Sequence, residues 1–105
     1  MRGDVHVLKA PRGARGREQQ GARFAVVLQN DLLPLSTWLV APTSRSAQHA
    51  SFRPEVEIEK KSTLVLVEQT AAVDPERLGP AVGHLTRAEM DEIDAALRTV
   101  LGLDR

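Results

Sequence analysis

The order of apolar and polar positions along the chain predicts a series of short strands closed by one helix. Val5 and Val7 alternate with Asp4 and His6, the period of a half-buried strand, and the strand is expected to run from about Gly3 to Ala10, where Pro11 removes a ladder donor. Phe24-Ala25-Val26-Val27-Leu28 is apolar throughout and ends at the turn-prone pair Asn30-Asp31; Thr37-Trp38-Leu39-Val40-Ala41 repeats the theme after Pro34. These read as two central strands. Val56 and Ile58 alternate with Glu55, Glu57 and Glu59, a strand with its acidic face in water, and Ser62 to Gln69 supplies a fifth strand. Asp74 to Gly79 reads as one helical turn capped by Asp74, with Pro75 at the first helical position and Gly79 closing it, and Ala81 to Leu85 as a last short strand. At Thr86 the period changes. Thr86 and Glu89 have capping-box spacing, Met90, Ile93, Leu97, Val100 and Leu101 follow at helical intervals, and Gly102 marks the stop, so the helix is expected over Ala88 to Leu101. The class predicted is mainly β with α: a small, strongly bent antiparallel sheet or barrel with the helix packed on it, one domain over residues 1–105.

Two segments cannot anchor a core. Pro11 to Ala22 is arginine, glycine, glutamine and alanine, a basic loop, and Thr43 to Ser51 is small and polar. The charges matter here. The chain carries 14 basic and 14 acidic side chains, yet residues 1–53 sum to +5 and residues 54–105 to −5. Screening within about 8–10 Å lets such a basic half attract an anion locally in a neutral protein, which makes nucleic acid a partner to consider beside a plain solvated loop. With no cysteine there is no disulfide and no thiolate metal site, and the cytoplasm is the expected compartment. His6, His49 and His84 are scattered, without carboxylates at ligand spacing, so neither a metal nor a cofactor is expected. The phosphate-binding, dinucleotide, zinc-peptidase and serine-esterase motifs are missing. The apolar runs fall far short of the roughly 18 residues that span a bilayer, so no membrane partner is expected.

Arg23 stands where the basic loop enters the second strand, and Thr43 just beyond the end of the third. If those strands pair as an antiparallel hairpin, the two residues share one sheet edge. An arginine fork and a hydroxyl are well suited to hold a phosphodiester. A surface arginine beside a turn threonine is the plainer alternative.

Further residues narrow the choice. Arg2-Gly3-Asp4-Val5, Gly16-Arg17-Glu18-Gln19, Gly21-Ala22-Arg23, Val26-Val27-Leu28-Gln29-Asn30-Asp31, Val40-Ala41-Pro42-Thr43-Ser44, Glu68-Gln69 and the helix ending Ala95 to Leu103 occur in an order and spacing that resembles the MazF/PemK (Kid) family of toxin endoribonucleases over about residues 2–103. The resemblance implies an SH3-like, CcdB/Kid-type antiparallel β-barrel with a C-terminal helix, a homodimer, and a cognate antitoxin whose tail covers the RNA-binding surface. It also implies metal-independent cleavage of single-stranded RNA to 2′,3′-cyclic phosphate and 5′-hydroxyl ends. The family's catalytic pair falls on Arg23 and Thr43. Stabilising the phosphorane suits Arg23, whereas proton transfer suits an arginine poorly, its ordinary pKa lying above about 12; Thr43 is the phosphate-oxygen donor.

The candidate substrate contacts are Arg12, Arg15, Arg17, Glu18 and Gln19 in the first loop, Phe24 beside the pair, Ser44, Arg45 and His49 in the second loop, and Gln69. Phe24 stands where the family usually has proline, and either stacks on a base or packs in a core or interface. His6 replaces the usual aromatic of the first strand, and Trp38 reads as a core or dimer anchor. Two other classes compete: a CcdB-like gyrase-directed toxin, whose Trp-Gly-Ile ending is missing here, and a non-catalytic SH3-like interaction module.

Overall fold

Among the described residues, seven strands and one long helix follow the apolar pattern: β1 (Asp4–Leu8), β2 (Arg23–Val27), β3 (Trp38–Ser44), β4 (Glu55–Ile58), β5 (Lys61–Val65), β6 (Ala71–Val73), β7 (Leu78–His84) and α1 (Arg87–Leu101). The computed structural model describes residues 1–9 and 23–103. The expected loop Pro11 to Ala22, and with it Arg12, Arg15, Arg17, Glu18 and Gln19, lies outside the described residues. The strands pair antiparallel in the order β4-β5-β3-β2-β1-β7, and β6 also pairs with β3. This is the expected class, a curled antiparallel sheet forming a half-barrel with the C-terminal helix against it.

The apolar run of β2 reads as continuous because both faces of that strand are covered. Val26 joins Val5, Leu28, Ala41, Val56, Ile58, Val65 and Val67 in the main core, which Met90, Ile93 and Ala96 of α1 close from above. Ala25 and Val27 join Val40 and Val73 on the other face, with Leu8, Trp38 and Leu78 packed around them. Trp38 is thus a packing residue. Its ring meets His6 edge-on at 5.8 Å, and His6 Nδ1 lies 3.0 Å from the Gly79 carbonyl oxygen.

Several elements differ from expectation: the first strand is shorter, ending as β1 at Leu8. The third strand does not stop at Ala41 but runs to Ser44, because β5 offers it a partner there: Thr43 faces Val65 and Ser44 faces Leu64. Pro42 is tolerated inside it for a topological reason. The amide and carbonyl of one strand residue point to the same side, and the Pro42 carbonyl accepts from Leu66 N–H at 2.8 Å. The missing donor therefore falls where the outer edge of β3 passes from β6 to β5, beside a single 3₁₀ turn at Val67–Gln69. That turn splits the expected strand Ser62 to Gln69, which ends as β5 at Val65. β6 escapes sequence reading because three residues carry too short a pattern. β7 starts at Leu78 instead of Ala81: Asp74 accepts from Glu76 N–H and caps the Pro75–Arg77 turn as expected, but Gly79 already lies in the strand. A Cβ at Gly79 would lie 3.1 Å from the Val7 Cβ, so this crossing is tight.

The β4–β5 hairpin pairs Ile58 with Lys61, leaving Glu59 and Lys60 as a two-residue turn with φ of 51° and 66°. Such turns favour Asn-Gly because both central residues are left-handed; here two ordinary side chains take that conformation, at a cost of order 1 kcal/mol each.

The helix is pinned at its start. Thr86 Oγ1 accepts from Glu89 N–H, Glu89 Oε1 accepts from Thr86 N–H at 2.9 Å, and Glu89 Oε2 reaches the Glu57 N–H of edge strand β4 at 2.8 Å. Gly102, at φ 70°, closes the helix in the left-handed region. Arg2 ties α1 to the sheet, its guanidinium bonding Asp94 and the Leu28 carbonyl. No helix among the described residues is long and apolar enough to cross a membrane.

Burial alone would raise the Glu89 pKa, but the hydrogen bonds from the Glu57 and Thr86 amides outweigh it and hold the carboxyl below its usual 4.5. Thr86→Ala is expected to lower stability by about 1 kcal/mol in denaturant unfolding. Glu89→Ala should cost more at neutral pH, since two strand and helix amides lose their acceptor. The depressed pKa makes this contribution complete above pH 4.5 and lost as pH falls through the lower folded value, so the gap between wild type and Glu89→Ala should narrow on the acid side.

Candidate active site

One end of the sheet collects the start of β2, the end of β3, the end of β4 and the start of β5. Lys9 and Arg23, which flank residues 10–22, both lie there, and Arg23 is opposite Leu8. Ala25 pairs with Pro42, so the next step along the ladder brings Phe24 to Thr43. Thr43 Oγ1 accepts from the Phe24 N–H at 3.3 Å and donates to the Phe24 carbonyl at 3.2 Å. The expected edge sharing of Arg23 and Thr43 is therefore present, joined through the Phe24 backbone. The expected loop position of Thr43 is not: it sits inside β3 and is only 2% exposed, because the strand continues past Pro42. Arg23 is half-buried and Phe24 packs on the rim of the main core.

The loop after β3 is built by its own side chains. Ser44 Oγ accepts from the amides of Ser46 and Ala47, a local turn that sets the direction in which the chain leaves the strand. Arg45 and His49 are exposed beyond it. The far side of the loop is clamped by Arg53, which lies over the Phe52 ring, donates to the Gln48 carbonyl at 2.9 Å, and places Nε and Nη2 on Glu68 Oε2 at 3.0 and 2.7 Å. The Arg53 guanidinium is the main reason the Glu68 carboxyl lies below its usual 4.5. Gln69, exposed on the 3₁₀ turn next to Glu68, makes no hydrogen bond to Arg23 or Thr43 among the described residues.

Beside Phe24 opens a cavity of about 380 Å³, lined by Phe24, Arg45, Ile58, Glu59, Lys61 and Thr63. The register explains the company: Ser44 faces Leu64, so Arg45 comes next to Thr63, while Thr63 pairs with Val56 and Lys61 with Ile58. Sequence reasoning named Phe24 and Arg45 here and missed Lys61 and Thr63. The available signal was the alternation Lys61-Thr63-Val65, legible only once the strand starts at Lys61. It also missed Arg53, visible only as a charge, although Glu68 belongs to a stretch the resemblance singled out.

This geometry has relatives. The model of the PemK-like, MazF-like toxins of type II toxin–antitoxin systems matches residues 1–101. A Mycobacterium tuberculosis protein named as a candidate toxin is 38% identical over 104 residues, 98% of either chain. Among solved structures, a mycobacterial endoribonuclease in complex with its cognate antitoxin superposes with a TM-score of 0.81 at 18% identity, covering 100% of this chain and 97% of that one. The Mycobacterium tuberculosis toxin MazF-mt6 gives 0.77 at 17% identity over 97% and 99% of the two chains, and MazF from Deinococcus radiodurans 0.77 at 21% over 96% and 94%. At such identities the structures speak for the fold; the match along nearly the whole chain and the close relative speak for the family, and this chain belongs to the PemK-like, MazF-like toxins of type II toxin–antitoxin systems.

Proposed function

We propose that the protein is a sequence-specific endoribonuclease that cuts single-stranded RNA, mRNA above all, in the cytoplasm without a metal or cofactor, and so blocks translation and growth. The observation that carries the reading is the junction of Arg23, Phe24 and Thr43 at one sheet end, in a chain of the MazF/PemK toxin family. The ribose 2′-hydroxyl gives its proton to solvent water as its oxygen attacks the adjacent phosphorus, the bond to the 5′-oxygen breaks and that oxygen takes a proton from water, and the products are a 2′,3′-cyclic phosphate and a 5′-hydroxyl. The phosphorane gains negative charge on its non-bridging oxygens, and the Arg23 guanidinium meets it with paired charge-assisted hydrogen bonds.

Thr43 completes the pair by holding the Phe24 peptide, and with it the direction in which Arg23 leaves the strand; to donate to the phosphate, its buried hydroxyl has to give up its bond to the Phe24 carbonyl. Ser44, Arg45 and His49 flank the path of the RNA, Gln69 stands on the neighbouring turn, and Arg12, Arg15, Arg17, Glu18 and Gln19 contribute from the basic loop. A homodimer is the proposed working unit, and a cognate antitoxin is the proposed regulator because a mycobacterial endoribonuclease of the same fold is found in complex with its own cognate antitoxin.

Purified protein incubated with a long single-stranded RNA in excess EDTA should give discrete fragments with cyclic phosphate ends. Arg23→Ala should lower the rate by roughly 10²–10³-fold or more with the unfolding midpoint unchanged; cleavage at the parent rate would remove Arg23 from the mechanism. RNA left intact by the wild type would favour a gyrase-directed toxin or a binding module. Replacing Arg12, Arg15 and Arg17 together by glutamine should weaken RNA binding and reduce the slope of log K against log salt by about 0.7 for each lost phosphate contact, and an unchanged slope would take that loop off the RNA. Arg53→Met frees the loop after β3 and is expected to lower cleavage several-fold. It also removes what depresses the Glu68 pKa, so its stability deficit should be complete above pH 4.5 and shrink below it as Glu68 protonates in the wild type, measured by urea unfolding across pH.

A further inference from the structure

The cations of the molecule fall into two groups. Arg2, Arg53 and Arg87 serve the fold, paired with Asp94, Glu68 and Asp91. Lys9, Arg23 and Arg77 make no ion pair among the described residues, and all three stand at the end of the sheet where β2 starts. The ladder sets their order. Leu8 of β1 lies opposite Arg23 of β2 on one side and opposite Leu78 of β7 on the other, and one step further the Lys9 N–H donates to the Arg77 carbonyl at 2.8 Å. The three cations therefore follow one another across β2, β1 and β7, with the backbones of Arg23 and Arg77 two strand spacings apart, about 10 Å.

Arg77 is the member that folding does not explain. It is half-buried, its Nε is buried without a hydrogen-bond partner, and its Nη2 donates to the Lys9 carbonyl at a long 3.3 Å. The acids nearest in sequence do not serve it: the Asp74 carboxylate accepts from the Glu76 N–H, and Glu76 is exposed. The junction of β1 and β7 is already made by backbone, so an uncharged side chain at 77 would keep the ladder without drawing a charge partly out of water. A guanidinium held in that way, with no carboxylate beside it, is one that an external anion completes.

We propose that Arg77, assisted by Lys9, binds a second phosphate of the RNA substrate, one or two nucleotides from the scissile one, so that the strand leaves Arg23 and crosses the sheet end over β1 to β7. The inference rests on the ribonuclease reading above and deepens it by naming the path of the RNA on one side of the cut. The donors left on Arg77 are those of Nη1 and the second hydrogen of Nη2, an end-on fork for two phosphate oxygens. Lys9, exposed, adds a point charge beside it. The row holds three cations and no aromatic face, so it reads backbone and not sequence: it yields affinity and register for any run of bases. An acidic protein segment would match the charge. The row begins at Arg23, however, and a nucleic acid, with one phosphate at every residue, sets a second anion at a regular distance from the first. Arg77 is thus a positioning residue whose effect depends on substrate length.

The test varies substrate length. Single-stranded RNAs built around a mapped cut and lengthened one nucleotide at a time on either side are cleaved in excess EDTA. kcat/KM should rise about tenfold in one step, on one side of the cut only, and Arg77→Gln should remove that step while cutting the shortest RNA at the parent rate. Arg77→Lys should keep part of the step, and Lys9→Gln should shrink it. One uncharged methylphosphonate linkage at the second phosphate should erase the step in the wild type and change nothing further in Arg77→Gln. If Arg77→Gln fails to fold, the linkage scan on the wild type, with Arg77→Lys and Lys9→Gln, decides. The proposal is overturned if Arg77→Gln slows the cutting of all lengths alike, as a structural role would, if the step survives in it, if no single uncharged linkage erases the step, or if polyglutamate competes as well as RNA. Binding of 2′-O-methyl oligouridylates of increasing length, which lack the attacking hydroxyl, gives the second arm by fluorescence anisotropy. A step in binding that Arg77→Gln removes, with no RNA cut by the wild type, would uphold the path and reject the ribonuclease reading; cleavage whose length step Arg77→Gln leaves intact would do the reverse.

Discussion

The ladder of β3 is the constraint on which the rest of the structure depends. Seven residues, Trp38–Ser44, must be paired along both edges, and no single neighbour does this on the outer side: β6 covers Trp38 to Val40, and β5 covers Thr43 and Ser44. The step between them is taken by the 3₁₀ turn Val67–Gln69, beside the one residue of β3 that has no amide hydrogen to offer, Pro42. An unpaired buried amide costs about as much as a lost hydrogen bond or more. A proline at that point removes the debt altogether, and the sheet can change partners and curl without leaving a donor stranded. The curl then lets α1 close one face, with Ile93 fully buried at the centre of the contact.

From this follows the way the candidate site is made. It is the end of the sheet where β2 starts and β3 finishes, so its side chains are aimed by ladder register instead of by the loops they border. Thr43 lies in the ladder and takes the Phe24 amide on its hydroxyl; Ser44 turns the chain out; Arg53 and Glu68 fasten the returning loop to the 3₁₀ turn. Each fastening is a hydrogen bond to backbone or a charge-assisted pair, the kind that holds a geometry tightly while leaving the apolar core undisturbed. The hairpin tip opposite carries the fold's visible strain, two left-handed residues without glycine, and it borders the cavity that holds the orphaned hydroxyl of Thr63.

Much of this was legible in the sequence, because it depends on local pattern. The capping box of Thr86 and Glu89, the stop at Gly102 and the Asp74 cap need only residues a few positions apart and appear where expected, and the strand periods marked where most strands lie but not where they end. The doubly buried β2 was legible as an unbroken apolar run, and Arg23 and Thr43 as the ends of neighbouring strands. The order of short motifs also sufficed for the family, since it needs residue identity and spacing and no contacts.

What tertiary structure alone decided are the features that need a partner distant in sequence. β3 passes Pro42 because β5 waits beyond it; Ser62 to Gln69 breaks in two because β3 needs two partners; Thr43 is buried because its strand is longer than its own pattern allows. Arg53 meets Glu68 across 15 positions, and Arg45 reaches the company of Thr63 only through the β3–β5 register. No local period encodes such pairings. They arise when backbone donors and acceptors must all be satisfied at once, a condition on the whole sheet and not on any one segment of chain.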